Sequence, residues 1–245
     1  MYRNRVIPCL LIRGNGLVKT RKFKDAVYIG DPVNAARIFS EKEADEIVVL
    51  DIDASREGRE PNYELVAEIA GECFMPMAYG GGVRSLEQVR KLIRSGVEKV
   101  VINSAAVDSV GIITEASDVF GSQAIVAAVD VKRTLLGGFR VLAKSASVET
   151  RLKLEVHVRQ LVAAGAGEIF LNSIDRDGMM QGYDVDFAKS VRAAIDIPMT
   201  VLGGAGNLDH MRELTDALGT IGAAAGSMFV FKGPYRAVLI SYDRP

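Results

Sequence analysis

Asp130 closes the apolar run IVAAV in IVAAVDVKR. A carboxyl group that ends a buried strand stands where general acid or base catalysis needs one. The same placement suits an aspartate that merely caps a loop. Asp51 and Asp53 in VLDIDAS, and Asp175 and Asp177 in SIDRDG, are further acids just after apolar runs. Of the last pair, one is expected to bind turn backbone, and Asp177 to face a ligand.

Two sets of small residues carry a second kind of chemistry. Gly80-Gly81-Gly82 is followed one strand later by Asn103-Ser104, and Gly203-Gly204 is followed one strand later by Gly226-Ser227. Glycines let backbone N–H groups approach an anion closely, and a following helix N-terminus adds a favourable dipole. They also make ordinary tight turns. Because the device occurs twice, the sequence predicts two phosphate sites, with Gly82, Asn103 and Ser104 in one and Gly204, Gly226 and Ser227 in the other. Gly178, which closes SIDRDG, joins the phosphate-binding candidates. Lys19 lies in the basic stretch GNGLVKTRKFKD, either a loop that folds over an anionic substrate or a solvated charge run.

Strands and turns must position these groups. Apolar runs at Val6–Ile12, Ile47–Ile52, Phe74–Tyr79, Lys99–Asn103, Ala124–Asp130, Glu168–Asn172, Pro198–Leu202 and Gly222–Ser227 do not alternate strictly. Such runs suit parallel strands covered on both faces. Amphipathic stretches lie between them. Asp31-Pro32 opens one and Ser85 another, closed by Gly96, while Asn207 begins a third, in keeping with helix capping preferences. Eight βα units in 245 residues predict a single α/β domain over 1–245, a closed (β/α)8 TIM barrel whose active site lies at the C-terminal rim. An internal repeat predicts two fused half-barrels. GGGVRSLEQVRKL from Gly80 echoes GGAGNLDHMREL from Gly203, and DEIVVLDID from Asp45 echoes GEIFLNSID from Gly167.

Composition narrows the function. A formal net charge of −1 argues against nucleic acid as a partner. The sequence shows no run of about 20 apolar residues and no secretory h-region, so neither membrane insertion nor secretion is expected. Cys9 and Cys73 read as buried free thiols of a cytoplasmic protein. His157 and His210 read as surface helix residues without metal-ligand neighbours, so no metal and no cofactor is expected.

RVIPCL, GDPV, YGGGVRS, INSAAV, FGSQ, LNSIDRDG and GGAG occur in one order along nearly the whole chain. Together they resemble the HisF family, the cyclase subunit of imidazole glycerol phosphate synthase. The resemblance implies a HisH-type glutaminase docked on the N-terminal face. It also implies ammonia passing through the barrel to a bisphosphorylated ribonucleotide. Four family gate residues are matched by Arg5, Glu46, Lys99 and Glu168, and the bland reading of that set is a structural salt-bridge ring. The family's two catalytic aspartates end strands one and five. Asp130 matches the second, whereas Leu11 stands at the first, and Leu202 replaces a small hydroxyl residue before the strand-seven glycines. This pattern is similar to a divergent HisF-like branch associated with surface-polysaccharide (O-antigen, lipopolysaccharide) gene sets. There the barrel would supply ammonia to a separate sugar amidotransferase that amidinates an acetamido sugar. The alternatives are a working cyclase, with Asp177 or Asp51 covering for Leu11, and a non-catalytic phosphate-binding scaffold.

Overall fold

The computed structural model describes residues 3–135 and 137–244. Eight parallel strands form its centre: β1 (Arg5–Arg13), β2 (Ile47–Asp51), β3 (Met77–Gly80), β4 (Lys99–Ile102), β5 (Ile125–Arg133), β6 (Glu168–Ser173), β7 (Met199–Leu202) and β8 (Gly222–Ala225). Each pairs with the next. The last returns to the first through Arg5↔Gly222 and Ile7↔Ala224. The expected (β/α)8 barrel is therefore closed, and closure leaves no unpaired sheet edge among its strands.

Among the described residues seven helices of eight or more residues cover it: α1 (Pro32–Glu41), α2 (Tyr63–Gly71), α3 (Leu86–Arg94), α4 (Gly111–Phe120), α5 (Leu154–Ala163), α6 (Val185–Arg192) and α7 (Leu208–Leu218). The expected caps are in place. Asp31, Ser85 and Asn207 accept hydrogen bonds from the third following amide, and Gly96 sits just past α3 at φ +96°. After β8 the described residues form a short 3-10 turn and a two-residue-per-strand hairpin instead of an eighth long helix. Phe39, Phe229 and Tyr242 pack together there, with ring centroids 5.5–6.4 Å apart. The Tyr242 hydroxyl donates to the Val6 carbonyl at 3.0 Å. The hydroxyl also accepts from the Asp45 amide at 3.1 Å, so phenol burial and these two contacts hold this side of the barrel.

The core has two layers because strand side chains alternate. On β1, Val6, Leu10 and Ile12 face the helices, while Ile7, Cys9 and Leu11 face the barrel interior with Val48, Val101, Val126, Ala128, Phe170, Leu202 and Ala224.

Several expectations need correction. β3 begins at Met77, because Phe74 is fully solvent-exposed. Gly226 and Ser227 lie past the end of β8. His157 is buried in the packed face of α5, where its Nε2 has no hydrogen-bond partner among the described residues. Burial disfavours its charged form and lowers its pKa. His210 is half-buried and its Nδ1 accepts from Gly206 N at 3.1 Å. Cys9 is buried as expected, but Cys73 is only half-buried. Two hairpins also follow strands: Gly16–Arg21 with Lys24–Gly30 after β1, and Phe139–Ala143 against the end of β5.

Candidate functional site

At the N-terminal mouth the strand starts bring Arg5, Lys99 and Glu168 together with Glu46, which immediately precedes β2. They form a closed ring of ion pairs. Arg5 reaches Glu46 at 2.5 Å and Glu168 at 2.6 Å, and Lys99 reaches Glu46 at 2.8 Å and Glu168 at 3.0 Å. Both glutamates are buried. Two positive and two negative charges cancel, which is what a buried floor requires. Burial alone would raise the Glu168 pKa, but the bonds from Arg5 and Thr200 and the charge of Lys99 outweigh it and lower it. Thr200, on β7, donates to Glu168 and accepts from Arg5. It is a fifth member that the sequence did not announce. Gly222 leaves room for it, since a Cβ there would lie 2.0 Å from the Thr200 hydroxyl.

Above the floor the interior is apolar up to the C-terminal mouth, where two cavities open side by side. The larger, about 110 Å³, includes Gly82, Asn103, Ser104 and Asp130 in its wall. The smaller, about 30 Å³, is walled by Lys19, Gly178, Gly204, Gly226 and Ser227. The two glycine sets therefore stand in separate pockets. Leu11, Leu202 and Asp177 border both. Leu11 and Leu202 together make an apolar partition between two polar pockets.

Asp130 lies within hydrogen-bond reach of two amides. Asn172 donates to one carboxyl oxygen and Asn103 to the other, each at 3.2 Å. Burial pushes its pKa up to about 7, the two amide bonds pull it back in part, and the negative charge of Asp177 adds to the rise. A carboxyl that titrates near neutrality is suited to proton transfer in either direction. The sign of the linkage is definite. The folded carboxyl holds its proton up to about pH 7, whereas an unfolded Asp loses it near 3.9. Stability from this group is full below the unfolded value and is lost as pH rises through the folded value. Relative to Asp130→Asn, the wild type should lose about 2–4 kcal/mol of unfolding free energy between pH 4 and 8. Urea denaturation at a series of pH values reads this directly.

The other acids have partners of their own. Asp51 accepts from the amides of Asp53 and Ala54 and pairs with Arg59. Asp53 pairs with Arg13 and Arg56, both at 2.7 Å. Asp175 accepts from Arg133 N. Asp177 accepts from the Thr20 hydroxyl at 2.7 Å and from Phe23 N at 3.0 Å. That bond pins the Lys22-Phe23 turn, where two non-glycine residues hold positive φ at a cost of about 1 kcal/mol or more each. Gly178 accepts the hairpin closely, as a Cβ there would meet the Thr20 carbonyl at 2.1 Å. The loop is thus neither purely solvated nor free. Lys19 is buried, and its ammonium donates to the Cys9 carbonyl at 2.5 Å. Burial lowers the Lys19 pKa and the neighbouring Asp177 opposes that shift.

The Gly82 amide donates to Ser55 Oγ at 3.1 Å, and Ser104 Oγ accepts from Lys144 N at 2.9 Å. Ser55 and Lys144 therefore belong to the larger pocket's surroundings, although neither stands out in the sequence. No helix among the described residues is long and apolar enough to cross a membrane. Among the described residues no cluster of three or more His, Cys, Asp or Glu side chains is arranged to hold a metal ion.

A closed (β/α)8 barrel with a neutral ion-pair floor, an apolar interior and paired glycine-rich pockets at the opposite mouth defines the class. The model of the family described as "Histidine biosynthesis protein" matches residues 5–235. A protein of Leptospira borgpetersenii provisionally named imidazole glycerol phosphate synthase subunit HisF is 50% identical over 243 residues, covering 99% of this chain and 96% of its own. A Pseudomonas aeruginosa protein, also provisionally named a HisF-type subunit of that synthase, is 49% identical over 242 residues, with the same coverage. Imidazole glycerol phosphate synthase subunit HisF of Streptococcus mutans is 37% identical over 229 residues, covering 94% and 91%. The chain belongs to the histidine biosynthesis protein family and is a HisF-like subunit of the imidazole glycerol phosphate synthase type.

Proposed function

We propose that this barrel receives ammonia from a HisH-type glutaminase at its N-terminal face and conducts it to the opposite mouth. It would do so for amidination of an acetamido sugar by a separate amidotransferase, as in surface-polysaccharide synthesis, with little cyclisation of its own. The observation that carries this reading is Leu11, which is buried between the two pockets and borders both. A bisphosphorylated ligand spanning those pockets would meet two leucines at its middle. A proton donor or acceptor at that position typically supplies about 10²–10⁴-fold in rate, and an aliphatic side chain supplies none.

Each part of the chain has a role in this reading. Arg5, Glu46, Lys99 and Glu168 act as the ammonia gate. Ile7, Val48, Val126 and Phe170 line an apolar column that holds neutral ammonia apart from water. Gly82, Asn103 and Ser104 bind one phosphate, and Gly178, Gly204, Gly226 and Ser227 bind a second with the help of Lys19. Asp130 remains as a general acid or base at the mouth. One observation favours a second reading, a working cyclase: Asp130 keeps a pKa near 7. The two separate in an isotope experiment. With amide-15N glutamine, glutaminase, sugar amidotransferase and an acetamido sugar in unlabelled ammonium buffer, the amidine should carry undiluted label. Label diluted to the level of the buffer would refute delivery through this subunit.

A further inference from the structure

Asp53 is buried, yet two arginines attend it. Arg13 donates through Nε and Arg56 through Nη2, both at 2.7 Å. One guanidinium neutralises one carboxylate. The second leaves this triad at +1, while the adjacent Asp51 on the same cavity wall is paired with Arg59. Exposed ion pairs add only about 0–1 kcal/mol, so stability is a weak reason for the extra arginine. Both guanidiniums are about half exposed, and Arg13, Asp53, Ser55 and Arg56 all border the larger mouth cavity. Among the described residues no acceptor is hydrogen-bonded to Arg13 Nη1, or to Nε or Nη1 of Arg56. Asp53 therefore holds two planar donor forks in place with N–H groups left over.

The position of these forks is specific. Ser55, next to Arg56 in the chain, accepts from the Gly82 amide. A Cβ on Gly82 would lie 3.1 Å from Ala54 Cβ. The arginine pair thus adjoins the glycine cradle instead of lying across the mouth from it. Guanidinium forks match the oxygens of phosphates in two-point contacts.

We propose that the larger cavity takes two adjacent anionic groups, as in a diphosphate, one against Gly82 and Ser104 and one between Arg13 and Arg56. The first half rests on the phosphate reading of the cradle given above; the second is new. Asp53 is a positioning residue in this arrangement. It fixes the forks and keeps a lone anion from saturating them.

Calorimetric titration of the full chain with inorganic phosphate and with inorganic pyrophosphate, at one ionic strength, tests this. The wild type should bind pyrophosphate about tenfold or more tightly than phosphate, as expected for added charge-assisted bonds. R56Q leaves Asp53 paired with Arg13. It should weaken pyrophosphate about 10–100-fold and phosphate by less than about twofold. R56K keeps the charge and the fold but not the fork, and should recover only part of the loss. Equal weakening of both anions by R56Q, or full recovery in R56K, would overturn the clamp. Phosphate binding with no preference for pyrophosphate overturns the clamp alone. Failure of the wild type to bind either anion overturns the cradle reading and the clamp with it.

Discussion

Leu11→Asp should raise ammonium-dependent formation of imidazole glycerol phosphate by about 10²–10⁴-fold, the usual contribution of a positioned acid or base. Leu11 lies on β1, which stands across the closed strand order from β5 and Asp130. A carboxylate at position 11 would face the same two pockets that Leu11 borders now. It would sit among Leu50, Leu202 and Ala128. Burial there costs about 1–3 kcal/mol of stability and lifts the new carboxyl's pKa toward neutrality. Steady-state assay with ammonium salt and the family substrate measures the gain, and the denaturation midpoint measures the cost. Leu11→Asn, a polar control with no titrating group, should give the stability loss without the gain. A Leu11→Asp protein no faster than wild type would mean that the missing acid is not what limits cyclisation.

The second large effect lies at the floor. Lys99→Met should cost about 3–5 kcal/mol, because it leaves two buried glutamates facing Arg5 alone. Adding Glu46→Gln to Lys99→Met removes the surplus negative charge and should restore more than half of that loss. This non-additive pattern is the signature of a coupled ring. The ring is also acid-sensitive. The depressed Glu168 pKa contributes stability above the unfolded value for Glu, which is lost as pH falls through the folded value. Urea titrations of the single and double variants at pH 7 and pH 4 separate the two effects. Additive losses in the double variant would show that the four charges do not act as one network.

The barrel was legible because its evidence is local. Each strand is an apolar run, five of the seven long helices carry a side-chain cap, and the glycine repeats recur half a chain apart. The two glycine sets and the floor residues stand where strand ends place them. What escaped the sequence depends on long-range pairing. Thr200 reads as an ordinary strand residue until Gly222 opens space beside it and Glu168 faces it. Lys19 reads as one of several basic residues, and only the hairpin's register turns it inward while Arg21, Lys22 and Lys24 stay exposed. The Gly14-Asn15 pair between Arg13 and Gly16 was the available signal for the turn that folds this hairpin back from β1. Asp51 and Asp177 are acids by composition, but the sequence does not show their partners: Asp51 accepts from two backbone amides and pairs with Arg59, and Asp177 accepts through Oδ2 from Thr20 and the Phe23 amide while bordering both pockets. His157 carries a polar side chain on the packed side of α5, a placement that periodicity does not flag.

The most direct measurement counts two products in one tube. Wild-type protein is mixed with a HisH-type glutaminase, glutamine and the family's bisphosphorylated substrate, and glutamate and imidazole glycerol phosphate are followed together. Glutamate should accumulate in large excess over imidazole glycerol phosphate, because ammonia is admitted while ring closure lacks its acid. One imidazole glycerol phosphate formed for every glutamate, at a rate matching the Leu11→Asp protein, would contradict the account.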